Sequence, residues 1–581
     1  MRPLSSPRSF AYRTLAVILV LFAALPGYAQ AAADRGPAMP PNPYVTSADW
    51  WKHAVVYEVY PRSYGDSNND GTGDLDGITG HLDYLQKLGV DAIWLTPMFP
   101  SPQVDFGYDV SDYRNVDPQY GSLADFDRLL KEAKKRGIKV ILDFVVNHTS
   151  DQHEWFKASR QSKTNSYRDF YVWRDGRAEN QPPNNWIAWF GGSSWTLDPK
   201  TGQYYYHYFY PEQPDLNWRN PKVEKEMFDT MRWWFKRGVY GFRLDAVDAL
   251  FEDEKLTDNP SLPGTNAYGD PNQEHLNDHR IPEVHAELQK MRRVVDEYKG
   301  RVLIGETWTS TPEALAEYYG PHNDELQMPM YFNFTTINRL DAAMFRDKIE
   351  AVEHNNAGGW PVFVFSNHDM RRQVDRYTPP GADKDKVAKL LAGMYLTLRG
   401  TPILYYGEEL GMQNNDPARR EDVKDVIGQK GWPTEKGRDG ERTPMQWSDA
   451  TNAGFNQGAK TWLPVGADYK TRNVAAEMAD SSSVLNWYRR VISLRRENVA
   501  ISEGDYRTVP LTNPEILAYT RSAKGKTVLV LLNLSAGDQS VSLDPAVAPH
   551  KLTVLASTGA PTVERTQIKL QGFGVVIAEI E

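Results

Sequence analysis

The stretch that decides the fold is HLDYLQKLGVDAIWLTP, residues 81–97, where an amphipathic segment ends at a glycine and an apolar run follows at once. The same order recurs in LLKEAKKRGIKVILDFVVNH (129–148), MRWWFKRGVYGFRLDAV (231–247), VVDEYKGRVLIGET (294–307) and YLTLRGTPILYYGEE (395–409). A glycine that tolerates positive φ is favoured where a helix ends. The runs that follow are apolar on both faces, which is typical of strands in a covered parallel sheet. The pattern therefore predicts repeated helix–strand units.

Three more apolar runs complete the pattern: AVVYEVY (54–60), MPMYF (328–332) and PVFVFSNHD (361–369). Together with the five runs after the glycines they make eight strands that alternate with helices. Such alternation indicates an α/β fold, and eight units predict a TIM (β/α)8 barrel.

Two segments interrupt the alternation. Residues 149–217 are rich in Trp, Tyr, Asn and Pro without a helical period, and short strands separated by Gly, Pro and Asn begin at 502. We predict a signal peptide (1–31), a linker (32–47), a catalytic barrel (48–148 and 218–501), an insertion after the third strand (149–217) and a C-terminal antiparallel β domain (502–581).

The N-terminus is typical of a secretory signal. Arg2, Arg8 and Arg13 form a positive region before the apolar run LAVILVLFAAL (15–25), and Ala29-Gln30-Ala31 offers a cleavage site. The run is too short for a transmembrane helix, so we expect export to the periplasm or medium without a membrane anchor; an uncleaved anchor is the alternative. The charge of -10, with both signs interspersed, argues against nucleic acid as a partner.

Several predicted strands end in acidic or histidine side chains. They supply Asp143, Asn147 and His148 on the third strand, Arg243 and Asp245 on the fourth, Glu306 on the fifth, and Asn367, His368 and Asp369 on the seventh. In a barrel the carboxyl ends of the strands meet on one face, where the active site forms. Carboxylates gathered in this way are rarely a packing solution, so we expect a catalytic cluster.

Paired carboxylates suit glycoside hydrolysis, with one as nucleophile and one as proton donor. If Asp245 and Glu306 lie about 5–5.5 Å apart, the reaction retains the anomeric configuration through a covalent intermediate. Arg243 shares a strand face with Asp245 and can hold it ionised, whereas neighbouring negative charge is expected to keep Glu306 protonated. His148 and His368 are expected to donate hydrogen bonds to sugar hydroxyls.

Four of these stretches, DFVVNH, GFRLDAV, GET and FSNHD, resemble the ordered signatures of the α-amylase family, glycoside hydrolase family 13. QPDLN (213–217) resembles the fifth signature in its oligo-1,6-glucosidase subfamily form, and the similarity runs from about residue 50 to the C-terminus. The resemblance implies a barrel, an inserted domain B and a C-terminal β-sandwich. It also implies that Asp245 is the nucleophile, Glu306 the general acid/base, and Asp369 the acid that binds sugar hydroxyls.

Two further stretches resemble subfamily patterns of the glucose pocket. VDFGYD (104–109) places Asp105 and Tyr108 there, and ERTPMQW (441–447) supplies Arg442. The resemblance implies that Asp105 and Arg442 form a pair that closes the pocket behind the non-reducing sugar, which predicts exo action on short α-glucosides. Phe190 in WFGGSSW is either a pocket wall or part of the domain B core.

The residue after the nucleophile is Ala246, where valine accompanies α-1,6 and threonine α-1,4 preference in the subfamily. We predict an exo-acting retaining α-glucosidase for maltose and malto-oligosaccharides, acting as a monomer or weak homodimer without organic cofactor. The alternatives are a glucoside isomerase or transglucosidase of trehalose synthase or sucrose isomerase type, and an oligo-1,6-glucosidase. RLDAA (339–343) stands where sucrose isomerases carry RLDRD, and this departure argues against a sucrose isomerase. A non-enzymatic transporter subunit is disfavoured because the three acids are all present.

YGDSNNDGTGDLDGI (64–78) resembles a calcium loop. Its candidate oxygen ligands are Asp66, Asn68, Asp70, the Thr72 carbonyl and Asp74, but Gly77 replaces the glutamate that an EF-hand needs. Subfamily relatives carry a similar loop after the first barrel strand, and several bind calcium there. We predict a structural Ca²⁺; the alternative is an Asx-rich turn that bonds to itself.

Overall fold

The structure is a computed structural model that describes residues 39–178, 181–356, 358–544, 551–564 and 566–581. The predicted signal peptide and residues 32–38 of the predicted linker lie outside the described residues. Residues 39–47 pack on the barrel: Lys139 Nζ donates to the Val45 carbonyl (2.6 Å) and Arg496 Nη1 to that of Pro40 (2.8 Å). In the part of the chain that the structure covers, no helix has the length and apolar character to span a bilayer.

Eight parallel strands form the central sheet. They are β1 (Val56–Val59), β2 (Ala92–Leu95), β3 (Lys139–Val145), β4 (Gly241–Asp245), β5 (Val302–Thr307), β6 (Met328–Tyr331), β7 (Val362–Phe363) and β8 (Ile403–Tyr405). Their order in the sheet is β7-β6-β5-β4-β3-β2-β1-β8. The Thr401 amide donates to the Pro361 carbonyl at 3.1 Å, which links the segments leading into β8 and β7 and nearly closes the barrel. The eight predicted strands and the barrel fold are therefore confirmed.

Helices follow the strands and cover the outside of the barrel. In chain order they are Leu75–Gly80, Leu82–Leu88, Leu123–Lys135, Pro221–Arg237, Glu283–Asp296, Pro312–Glu317, Ala342–Asn355, Lys384–Tyr395 and Val484–Glu497. Further short helices are Pro61–Tyr64, Glu154–Ser159, Gln373–Tyr377, Val426–Gly431, Val474–Ala479 and Val499–Glu503. The predicted terminating glycines adopt positive φ: Gly89 (100°), Gly137 (74°), Gly238 (118°), Gly300 (69°) and Gly400 (125°).

The barrel interior has an apolar layer below a charged layer. Val56, Ile141 and Ile304 belong to a buried apolar cluster inside the barrel. Two residues further along β1, β3 and β5 stand Glu58, Asp143 and Glu306. Because side chains alternate along a strand, these acids face the same interior, one layer closer to the carboxyl ends. Strand periodicity thus places the acids beneath the catalytic face.

Two further units flank the barrel. After β3, three short strands (Trp173–Arg174, Trp195–Asp198 and Gln203–Tyr206) form a small antiparallel sheet with Gln203–Tyr206 in the middle. After β4, Ser261–Thr265 pairs with Pro271–Gln273.

The C-terminal sandwich comprises β9 (Asp505–Thr508), β10 (Ile516–Ala523), β11 (Lys526–Asn533), β12 (Gln539–Ser542), β13 (Leu552–Ser557), β14 (Thr562–Glu564), β15 (Gln567–Leu570) and β16 (Val575–Ile580). Its sheets have the orders β9-β10-β11-β16-β13 and β12-β15-β14.

Gly238→Ala tests the glycine requirement at a helix end. A Cβ at this position would find room, with Leu130 Cδ1 at 3.7 Å, so the cost comes from the positive φ alone. We expect a loss of about 1–2 kcal/mol in the free energy of unfolding and a lower Tm. Gly80→Ala is the control, since a Cβ added to this helical glycine would meet no atom within 4 Å and alanine favours helix. A Gly238→Ala protein that melts at or above the parent would contradict the account.

Candidate active site

A cavity of about 750 Å³ opens at the carboxyl ends of the barrel strands. Its lining includes the three predicted catalytic acids, Asp245, Glu306 and Asp369, and four of the predicted binding residues, Asp105, Tyr108, His148 and Phe190. The other three predicted binding residues, Arg243, His368 and Arg442, are at most 1% exposed and lie behind the lining. Each contacts acids that line the cavity: Arg243 contacts Asp245 and Glu306, and His368 and Arg442 contact Asp369.

Arg243 connects three carboxyl groups. Its Nη1 lies 2.6 Å from Asp245 Oδ1 and 3.0 Å from Asp143 Oδ1, and its Nη2 lies 2.9 Å from Glu306 Oε2. Burial raises the pKa of Asp245, and nearby Glu306 and Asp143 raise it further, while Arg243 opposes the rise. One cation cannot neutralise three carboxylates, so the cluster is suited to holding a proton on one member and a charge on another.

Two donors orient Glu306 from outside the ion cluster. The Ala246 amide donates to Oε2 at 2.9 Å, and the Trp308 indole Nε1 donates to Oε1 at 3.2 Å. Ala246 adopts a left-handed φ of 47° directly after the strand that carries Asp245. Trp308 stacks on Phe332 with ring centroids 4.2 Å apart. The carboxyl group of Glu306 is thus held beside Asp245 and at the cavity wall.

Three cations surround Asp369. Its Oδ1 lies 2.9 Å from Arg438 Nη1 and 2.8 Å from Arg442 Nη2, and its Oδ2 lies 3.0 Å from His368 Nε2. Although burial raises it, His368, Arg438 and Arg442 hold the pKa of Asp369 well below its usual value. Asp369 is therefore ionised and can accept hydrogen bonds from a ligand.

The two predicted histidines differ in charge. Burial lowers the pKa of His368, but Asp369 and Glu58 outweigh it and raise the pKa to about 9. Its Nδ1 lies 2.6 Å from Glu58 Oε1, and its Nε2 lies 2.7 Å from the Tyr108 hydroxyl. Burial lowers the pKa of His148 to about 3, so this ring is neutral at pH 7. His368 is thus a buried cation that supports Asp369, whereas His148 is a neutral group in the lining.

The closed end of the cavity corrects one prediction. Asp105 pairs with Arg438, whose Nη2 lies 2.7 Å from Asp105 Oδ1, and not with Arg442. Arg438 Nε also contacts Asp425 Oδ2 at 2.8 Å. Arg442 instead donates through Nε to the His368 carbonyl at 2.7 Å. The sequence missed Arg438 because both arginines stand four residues apart in one loop, and spacing alone does not decide which one faces the cavity.

Aromatic and polar residues that the sequence did not single out line the rest of the cavity. They are Trp189, Tyr208, Asp248, Tyr268, His279 and Trp308, among others. Phe190 satisfies both of its predicted alternatives, since it lines the cavity and stacks on Tyr210 with centroids 4.7 Å apart. Trp189 is 47% exposed, so this part of the lining is open to solvent.

The predicted calcium loop lies away from the cavity, and its side chains bond within the loop and to one neighbouring segment. Asp66 accepts from the Asn69 amide (2.7 Å), the Gly71 amide (2.8 Å) and Asn456 Nδ2 (2.6 Å). The other predicted ligands bond locally: Asn68 accepts from the Asp70 amide, Asp70 from the Thr72 amide, and Asp74 from Ser67 and Gly77. No group of three His, Cys, Asp or Glu suited to a metal occurs among the residues the structure covers. These bonds fit the Asx-rich turn, and the calcium site stays a prediction.

A chelator distinguishes the two alternatives for this loop. If Ca²⁺ braces it, EDTA lowers the Tm and added Ca²⁺ restores it, because an ion bound only to the folded state stabilises that state. Asp70→Asn removes an exposed candidate ligand charge and should abolish the chelator effect. An unchanged Tm in EDTA would show that the turn needs no ion.

Comparison with known proteins agrees with this architecture. Residues 58–504 match the family model described as alpha amylase, catalytic domain, and residues 506–577 match maltogenic amylase, C-terminal domain. The chain is 42% identical to a probable alpha-glucosidase of Rhizobium meliloti (strain 1021), with 84% of this chain and 90% of the relative covered. It is 40% identical, over 84% of this chain and 90% of the relative, to an oligo-1,6-glucosidase of Parageobacillus thermoglucosidasius.

A solved structure of the alpha-glucosyl transfer enzyme XgtA is similar over 92% of this chain and 99% of that chain, with a TM-score of 0.86 and 40% identity. The family models and the relatives together span the barrel and the C-terminal sandwich, and Asp245, Glu306 and Asp369 of the family signatures line the cavity. The chain therefore belongs to the α-amylase family and is a glycoside hydrolase.

Proposed function

We propose that the enzyme is an exo-acting, retaining α-glucosidase that hydrolyses maltose and malto-oligosaccharides from the non-reducing end. The observation that carries this proposal is that one cavity is lined both by Asp245 and Glu306 and by the buried Asp105–Arg438 pair, which Asp425 supports from behind. The closed end takes one terminal sugar, and the acid pair acts on the bond that follows it.

In this mechanism Asp245 attacks the anomeric carbon of the terminal glucosyl unit while Glu306 gives its proton to the leaving oxygen. Water, deprotonated by Glu306, then hydrolyses the glucosyl ester of Asp245 and restores both groups. The contacts of one guanidinium, that of Arg243, with both carboxyl groups fit the short separation of about 5–5.5 Å that retaining glycosidases use. Asp369, ionised by its three cations, binds sugar hydroxyls and stabilises the transition state.

The ion network supports exo action because a buried, fully bonded Arg–Asp cluster leaves no passage for a longer chain. Arg438 is 8% exposed and Asp105 5%, so neither is free to swing away without leaving a buried charge unpaired. A terminal sugar can reach Asp105 and Asp369, but the interior of a polymer cannot pass beyond them.

The leaving-group side supports a broad linkage preference and keeps a second candidate function open. Ala246 lines the cavity with a small side chain, which leaves room for more than one linkage geometry. The partly exposed ring of Trp308 in the cavity lining, held by its stacking on buried Phe332, offers a face that retains a released sugar, which favours glucosyl transfer or isomerisation over hydrolysis. The relatives named oligo-1,6-glucosidase and alpha-glucosyl transfer enzyme are consistent with these alternatives.

A substrate panel with product identification tests the proposal. Purified enzyme is incubated with maltose, maltotriose, isomaltose, sucrose, trehalose and starch, and the products are separated by chromatography. We expect glucose from maltose and maltotriose, and little action on starch. Isomaltose cleaved far faster than maltose would indicate an oligo-1,6-glucosidase, and new disaccharides in place of glucose would indicate an isomerase or transglucosidase.

Arg438→Lys tests the closed end of the cavity. Lysine keeps the charge but cannot contact Asp105, Asp369 and Asp425 at once, so we expect kcat/KM for maltose to fall at least about tenfold. Arg419→Lys is the matched control, because Arg419 lies on the same segment with a 64% exposed side chain that pairs with the surface acids Glu421 and Asp422. Equal activities of the two variants would show that Arg438 does not shape the glucose site.

A further inference from the structure

Asp248 stands out among the cavity residues that the mechanism above does not use. It lies three residues after Asp245, in the one-turn helix Val247–Ala249, and is 2% exposed while contributing to the cavity lining. Its carbonyl accepts from the Arg280 amide at 2.7 Å, so the backbone is fixed as well as the side chain.

The side chain of Asp248 is connected to the proton donor through Trp308. Asp248 Oδ2 accepts the Trp308 backbone amide at 2.7 Å, and the indole Nε1 of the same Trp308 donates to Glu306 Oε1 at 3.2 Å. The loop that carries Trp308 begins where β5 ends at Thr307, and this amide bond anchors its first residue. Loss of the bond would free the indole that orients Glu306.

Besides the Trp308 amide, Tyr318 hydrogen-bonds to the Asp248 side chain. The groups that face the carboxyl are His279, with Nε2 at 3.7 Å from Oδ2, Arg280, Tyr318 and Glu306. Burial raises the pKa of Asp248 to about 7, and Glu306 adds to the rise, whereas Tyr318, the Trp308 amide and Arg280 oppose it. Asp248 therefore changes charge near neutral pH within the field of Glu306.

We propose that Asp248 is a positioning residue for the proton donor, which holds Glu306 in place through Trp308 and places a titratable charge beside it. The inference rests on the proposed α-glucosidase activity and deepens it. Asp248 touches no reacting atom in this account; it acts through the Trp308 amide and through its charge.

The proposal has two separable consequences. A sugar is a poor leaving group that needs a proton from the donor, whereas p-nitrophenolate needs little protonation. A misplaced proton donor therefore slows cleavage of a disaccharide far more than cleavage of a p-nitrophenyl glucoside. Removing a negative charge near the proton donor makes that donor lose its proton more readily. The basic limb of the pH–activity profile should therefore move to lower pH.

Two variants separate the hydrogen bond from the charge, and kcat/KM is measured for maltose and for p-nitrophenyl α-glucoside. In Asp248→Ala the Trp308 amide loses its acceptor, and we expect at least about a tenfold loss on maltose but less than about threefold on the aryl glucoside. In Asp248→Asn the amide oxygen can still accept from Trp308, and we expect the basic limb of the maltose profile to move down by about half a pH unit or more.

Asp278→Asn is the matched control, because Asp278 is fully buried on the same loop, pairs with His275 at 2.9 Å and lies outside the cavity lining. It should keep the parent's substrate ratio and basic limb. Equal losses on both substrates in a folded Asp248→Ala protein would overturn the proposal. If Asp248→Ala folds poorly, an unmoved basic limb in Asp248→Asn would overturn it. A parent enzyme that cleaves neither substrate would instead refute the proposed function.

Discussion

The site depends on one buried interaction, the contact of the Arg243 guanidinium with Asp143, Asp245 and Glu306. Arg243 is 0% exposed, and an unpaired cation in that environment would be strongly destabilising. The same holds for each carboxylate without the cation. Because β3, β4 and β5 each supply one or more members, the barrel cannot form this layer with a strand out of register without leaving buried charge uncompensated. Fold and catalytic geometry are therefore coupled through this arginine.

A second arginine cluster, built from loop residues and not from barrel strands, completes the site. Arg438 lies on the long connection between β8 and the helix Val484–Glu497 and reaches Asp105 after β2, Asp369 after β7 and Asp425 on its own segment. Arg243 connects the acids of the catalytic cluster, and Arg438 connects Asp105 with Asp369 at the cavity wall. In the proposed function the first cluster carries the reaction and the second restricts the length of the chain that can enter.

Local patterns predicted most of this arrangement. Glycines at the helix ends and the apolar runs after them predicted the eight strands, and the meeting of the strands' carboxyl ends on one barrel face predicted that Asp143, Asp245 and Glu306 gather there. Where a residue's position follows from the strand that carries it, the sequence was sufficient.

Contacts between distant loops could not be predicted from local sequence patterns. The choice of Arg438 over Arg442 as partner of Asp105 depends on how a loop without regular period crosses the cavity. For the same reason His368 and Arg442 were expected to line the sugar pocket but lie behind the cavity lining, since burial depth is set by the whole assembly. Asp248 was overlooked because its role depends on Trp308, 60 residues later in the chain.

The central claim is that Asp245 and Glu306 act as a retaining pair, and the anomeric form of the first sugar released tests it most directly. Proton NMR spectra recorded within the first minutes of maltose hydrolysis, before mutarotation, distinguish the two forms. The account predicts α-glucose from the non-reducing unit at the earliest times, with β-glucose from that unit appearing only as mutarotation proceeds. Initial release of that unit as β-glucose would contradict the account, because it would require direct attack by water and a wider separation of the two carboxyl groups.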